Sequence, residues 1–205
     1  MKIVLLLLIA FFGLSLHAQT KLVQEEYNIY KTVLNVIYKH NRETYSNKSH
    51  FVILQNTKTD SELDLDLIVS KRYKALIKAF KRKNLSTAVV ERKFLFKTYY
   101  LVNQKEIDDL FEKGEIKFNK RYEIDKKDER IVNPGGTTWI PFYEKFPEAN
   151  GYYSLSRVAF DSNKTLAMAH VRNEDIYSGF STIYILKKVK GKWNIVAASG
   201  SVSAS

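Results

Sequence analysis

Between Tyr152 and Ala198 the chain reads as four apolar-rich segments separated by only a few residues, and this stretch restricts the fold most. The segments are Tyr152–Phe160, Leu166–Arg172, Thr182–Val189 and Lys192–Ala198, each with the length and β-branched or aromatic content of a strand. Asp161-Ser162-Asn163-Lys164 reads as a turn and Lys190-Gly191 as a tight one. Short connections join neighbouring strands antiparallel, so a β-meander of about four strands is predicted. Alone, a segment of roughly 70 residues is marginal as a domain. The elements before it are expected to cover one face of the sheet.

Those elements look mainly helical. Val23, Tyr27, Tyr30, Leu34 and Ile37 recur at helical spacing, with Glu25 and Glu26 in the first turn, so Leu22–Tyr38 is predicted as a helix. Polar Asn41–Ser49 should end it, and Phe51–Leu54 reads as a short strand. Leu63 to Val69 alternates like a strand, yet Leu65, Val69, Tyr73, Leu76 and Phe80 trace a helical stripe. The length of that pattern, with Ala75 and Ala79 inside it and Lys81, Arg82 and Lys83 at its end, favours a helix from about Leu67 to Lys83. Phe94–Val102 reads as a strand, and Gln104–Glu112 as a short helix ending at Gly114. From Glu112 to Asn133, 13 of 22 residues are charged, which predicts a surface arm or exposed hairpin. Asn133-Pro134-Gly135-Gly136 is the strongest break in the chain, and Trp139–Phe146 reads as a short helix stopped by Pro147. The expectation is one α+β domain over residues 19–205, helix-rich over 19–133 and mainly β over 137–205.

The first 18 residues stand apart. Lys2 is followed by an apolar run from Ile3 to Leu16, interrupted only by Gly13 and Ser15, and small Ala18 precedes a polar stretch. A basic start, an apolar core and a small residue at the cut describe a cleavable export signal. The run is shorter than the ~20 residues a membrane span takes, and nothing later in the chain is apolar for long enough. The working protein is therefore expected in the periplasm or outside the cell.

Composition narrows the chemistry. The chain has no cysteine, which removes thiol catalysis, cysteine-ligated zinc, disulfides and lipidation at a cysteine. Its formal charge is +11, and losing the signal removes one lysine and no acid. That balance favours anionic neighbours such as acidic glycans or anionic lipid, and no motif for specific nucleic-acid binding accompanies it. The only local shape in this charge is a stripe of Lys71, Lys74, Lys78 and Lys81, with no acid between Asp66 and Glu91. Such a face suits phosphates or anionic lipid, though lysine-rich helix faces are ordinarily just solvated.

Catalytic and metal templates find no match. His40, His50 and His170 lack metal-ligand spacing. Counted from Asp60 as a calcium loop, the required glycine and glutamate positions hold Leu65 and Lys71. Gly151 to Arg157 matches no serine-hydrolase motif. No cofactor or metal is expected.

The C-terminal part carries a resemblance. Trp139-x-x-Phe142-Tyr143-x-x-Phe146-Pro147 is followed by Gly151 and Ser154-Leu155-Ser156-Arg157-Val158-x-Phe160, then by Ala167, Gly179 and Gly191-Lys192-Trp193. This pattern resembles a group of small exported or envelope proteins of bacteria, over about the last 70 residues; no particular activity follows from it. Members often carry paired cysteines in a glycine-rich loop before the penultimate strand; here Asn173–Ser181 has Gly179 and no cysteine. Within this part Ser156, Arg157 and His170 are the residues to locate. A charge inside a strand beside Leu155, Val158 and Phe160 either faces solvent or requires a buried partner, so Arg157 belongs to an ion pair or, with Ser156, to a ligand site. The leading expectation is a non-enzymatic binding or scaffolding domain. An exported hydrolase with an unrecognised site and an anionic-surface binder using the lysine stripe are the alternatives.

Overall fold

The computed structural model describes residues 22–44, 50–59, 73–91, 99–125, 138–176 and 178–204. Eleven elements follow along these residues: α1 (Gln24–Thr44), β1 (His50–Leu54), α2 (Lys74–Lys83), β2 (Tyr99–Val102), α3 (Gln104–Asp125), α4 (Ile140–Lys145), β3 (Ala149–Leu155), β4 (Ala159–Phe160), β5 (Leu166–Glu174), β6 (Ser178–Val189) and β7 (Lys192–Ala204). The architecture is mixed α+β. Its sheet has seven strands rather than about four, in the order β2-β1-β3-β5-β6-β7, with β4 paired to β5.

Two of the extra strands, β1 and β2, come from the part expected to be helix-rich, and the third, β4, from a division of the predicted Tyr152–Phe160 strand. β1 lies between β2 and β3 and is parallel to both. A strand covered on both faces needs apolar residues at successive positions, which is what Phe51-Val52-Ile53-Leu54 supplies; all four are buried. The remaining pairings, β3–β5, β4–β5, β5–β6 and β6–β7, are antiparallel, as expected for the C-terminal meander. Lys190 and Gly191 turn β6 into β7 with φ of 48° and 77°, the left-handed pair of a two-residue hairpin whose twist matches its strands.

Helices cover both faces. α1 presents Tyr27, Tyr30, Val33, Leu34 and Ile37 to Phe51, Ile53, Tyr153, Leu155, Ala169, Val171 and Tyr184. On the other face, Ile107 of α3 and Phe142 and Phe146 of α4 pack on Val52, Leu54 and Tyr152. Leu76 and Phe80 of α2 pack on that face too, against Ala159, Met168, Ile183 and Ile185. The two-residue alternation of β1, β3 and β5 sorts these side chains between the layers.

Three boundaries differ from the sequence reading. α1 runs through Asn41 to Thr44, because buried Asn41 donates to Tyr153 Oη at 2.9 Å and is satisfied inside the fold. α3 does not end at Gly114 but continues to Asp125, so this part of the charged stretch is helix rather than hairpin. A Cβ at Gly114 would lie 2.1 Å from Thr138 O; the glycine marks a close backbone approach rather than a helix stop. The predicted strand Tyr152–Phe160 is two strands, broken at Ser156–Val158. Residues 1–21, 45–49, 60–72, 92–98, 126–137, 177 and 205 lie outside the described residues. With them go the predicted export signal, Lys71, the start of the predicted Leu67–Lys83 helix and the predicted Asn133–Gly136 break.

Candidate functional site: a buried ionic node behind a cationic helix

The break between β3 and β4 holds no glycine or proline, so something else must take its backbone groups. One neighbouring-strand carbonyl and three distant side chains do so. Ser156 N donates to His170 O at 3.0 Å, and Tyr30 Oη donates to Ser156 O. Arg157 N donates to Asn84 Oδ1 at 2.6 Å, while Asn84 Nδ2 donates to the carbonyls of Arg157 and Phe80, each at 3.0 Å. Val158 N donates to Glu26 Oε1 at 3.1 Å.

Glu26 is the centre of this arrangement. It sits at the third position of α1, and its Oε2 accepts from Val23 N at 3.1 Å, the reach-back half of a capping box. The same carboxylate meets Arg157 Nη2 at 3.4 Å and Lys83 Nζ at 3.1 Å. Glu26 is fully buried and Arg157 nearly so. Burial pushes the Lys83 amine below its ordinary range, and attraction to Glu26 opposes that shift. Two cations and two backbone N–H groups thus surround one carboxylate, which binds α1, the end of α2 and the β3–β4 break together. With its lone pairs occupied, Glu26 is not placed to act as a general base.

Of the three residues singled out in the C-terminal part, Ser156 and His170 meet only through the backbone of His170. Ser156 Oγ accepts from His170 N at 2.9 Å and donates to Arg157 O at 3.1 Å. The His170 ring turns elsewhere, with Nε2 2.7 Å from Ser181 Oγ across the β5–β6 pair. Arg157 forms an ion pair with Glu26. Its Nε has no hydrogen-bond partner among the described residues.

The lysine stripe is on α2. Lys74, Lys78 and Lys81 are exposed, as is Arg82, opposite the buried Leu76 and Phe80. None of the four has a carboxylate within ion-pair distance among the described residues. Lys83, next in sequence, points the other way into the node, and Asn84 closes the helix with its N–H on Phe80 O at 3.0 Å. The end of the cationic helix is therefore pinned to the core by two consecutive residues.

Charges beside α3 are paired with one another. A depression of about 210 Å³ near α3 is lined by Asn103, Lys105, Glu106, Asp109, Lys113 and Lys145. There Lys105 pairs with Asp109 at 3.0 Å and Lys145 with Glu106 at 2.6 Å. Among the described residues, no group of three or more metal-ligating side chains comes together, and no helix is long and apolar enough to cross a membrane.

Glu26, Lys83, Asn84 and Ser181 were not singled out from the sequence. The one available signal was Arg157 itself, a charge in an apolar strand that demands a partner; nothing local says that the partner is at position 26. Comparison with protein-family models, curated proteins and solved structures finds no match for this chain.

Proposed function

We propose that this chain is an exported, non-enzymatic binding domain that docks on an anionic component of the cell envelope through the outer face of α2. One observation carries the reading: Lys74, Lys78, Lys81 and Arg82 are exposed together without acidic partners among the described residues, on a helix whose end is pinned by Lys83 and Asn84. A pinned helix presents its charges with little further ordering cost on binding. The signal-like Met1–Ala18, the formal charge of +11 and the C-terminal resemblance to exported bacterial proteins agree with it. Each lysine or arginine near an anionic surface contributes about 1 kcal/mol. The triple variant K74E/K78E/K81E should therefore bind phosphatidylglycerol-containing vesicles about 100-fold more weakly or worse. Unchanged vesicle binding by the folded triple variant sinks the proposal. Export is tested separately: protein recovered from outside the cytoplasm should begin at Gln19 by mass, and a retained Met1 would contradict it.

A second reading, an exported hydrolase, is favoured by one contact, the 2.7 Å approach of His170 Nε2 to Ser181 Oγ. A histidine so placed relative to a hydroxyl is the first requirement of an activated serine. If that pair is catalytic, an activity found on ester substrates disappears in Ser181→Ala while vesicle binding is untouched.

A further inference from the structure

α2 runs into a short turn of a different character. Asn84 is fully buried and bonded to the carbonyls of Phe80 and Arg157. Ala88 is held by Thr57, whose Oγ1 accepts from Ala88 N and whose N donates to Ala88 O, both at 2.8 Å. Between these two anchors Leu85, Ser86 and Thr87 are exposed and uncharged. Leu85 is 70% exposed, more than any other large apolar side chain among the described residues. A solvated leucine is ordinary by itself, but this one stands in line with the lysines.

Lys74, Lys78, Lys81 and Leu85 follow one another at steps of four, three and four residues. At about 100° per residue, the last three fall within about 40° of Lys74 around the helix axis. Asn84, with φ −87° and ψ 12°, keeps the chain close to the helical path, so Leu85 continues the stripe. No acidic residue occurs from Lys74 to Val90. The result is a cationic strip about 16 Å long with an uncharged, apolar tip.

We infer that the anionic partner of α2 is a lipid bilayer and that Leu85 enters it, with Lys74, Lys78, Lys81 and Arg82 at the level of the phosphates. This rests on the proposed docking through α2 and names its partner. An acidic glycan offers charge and hydroxyl groups, and a leucine on the contact line contributes nothing there. A bilayer matches both parts of the strip, with anionic headgroups for the cations and hydrocarbon beneath them for the leucine. Lysine and arginine stems are long enough to keep their charges at the surface while the helix end settles inward. Ser86 and Thr87 bring no charge that would need desolvation. Because Asn84 and Ala88 hold the turn from both ends, Leu85 is presented with little further ordering cost.

Leu85→Ala, compared with wild type on vesicles and on heparin, separates this inference from the reading beneath it. On phosphatidylglycerol-containing vesicles Leu85→Ala should bind about tenfold more weakly, having lost most of one apolar side chain from the hydrocarbon boundary. On heparin, which offers charge without hydrocarbon, it should be retained like wild type, whereas K74E/K78E/K81E should not. Equal vesicle binding by Leu85→Ala and wild type overturns the inference and leaves docking through α2 standing. Wild type held by heparin but not by anionic vesicles also overturns it and makes the partner a glycan. Wild type that binds neither overturns both. Depth is read directly from Leu85→Cys carrying a nitrobenzoxadiazole label, in a chain with no other cysteine. Its emission should rise and shift to the blue on these vesicles, and lipids bearing a nitroxide on the acyl chain should quench it. A label that stays in water on vesicle-bound protein overturns the inference.

Discussion

Arg157 Nη2 lies 3.4 Å from Glu26 Oε2 across a sequence separation of 131 residues, and the carboxylate it meets has no exposure to solvent. Removing one partner of a buried pair strands the other, which is costlier than the pair itself is stabilising. Glu26→Ala leaves Arg157 and Lys83 without their counter-charge and two backbone N–H groups without an acceptor. It should destabilise the fold by about 3–5 kcal/mol, read as a lower urea midpoint. Arg157→Met in the Glu26→Gln background should cost much less than the two single changes summed. A cost near zero for Glu26→Ala would mean that the node does not hold these elements together.

Asn84 tests the same junction through neutral hydrogen bonds. Asn84→Ala removes the acceptor of Arg157 N–H and one donor to Arg157 O, both in the interior. Buried polar groups left unmatched cost about 1–3 kcal/mol. A loss of about 2 kcal/mol in thermal or chemical denaturation is expected, with less effect from Leu85→Ala, which alters an exposed neighbour.

Glu25 gives an acid-side signal. Its carboxylate accepts from Lys188 Nζ at 2.6 Å and Trp193 Nε1 at 3.0 Å. The Lys188 hydrogen bond holds it below the ordinary carboxylate range, with burial opposing and the Trp193 bond reinforcing. A carboxyl with a depressed folded pKa contributes stability that is present above its unfolded value and lost as pH falls through the folded one. In a Trp139→Phe background, Trp193 fluorescence should change as the pH drops below about 4, near the unperturbed value for glutamate. In Glu25→Gln that step should vanish.

The alkaline side is set by phenols. Burial pushes Tyr27, Tyr152, Tyr153 and Tyr184 above the ordinary tyrosine range. Groups with raised folded pKa values contribute stability that is full below their unfolded value and lost as pH climbs past it. Lys83, lowered by burial, works in the opposite sense, but it is one group against four. Stability should therefore fall above about pH 10. Tyrosinate absorbance should arrive in two stages, the buried phenols ionising only as the protein unfolds. A single smooth titration of all 13 tyrosines would contradict this.

What the sequence made legible was local. The β5–β6–β7 meander was readable from alternation and turn residues, and the burial of Tyr27, Tyr30, Leu34 and Ile37 from helical spacing. β1 and β2 were harder to place, because parallel neighbours are joined by long connections that leave no local mark. The break at Ser156–Val158 was invisible for a related reason. It exists because Tyr30, Asn84 and Glu26 supply its hydrogen bonds, and none of them is near in sequence. Gly114 misled because a glycine needed for close approach to Thr138 looks the same as one that ends a helix. Arg157 was recognisable as a residue in need of a partner, while Glu26 resembled any acid in a first helical turn.

Vesicle cosedimentation with K74E/K78E/K81E tests the central claim most directly, because it alters the cationic face of α2 and leaves Lys83 and Asn84 in place. The account predicts that wild-type protein binds anionic vesicles and not neutral ones, that binding weakens with salt, and that the folded triple variant loses about two orders of magnitude in affinity. Equal binding by wild type and variant, or no preference of the wild type for anionic vesicles, contradicts it.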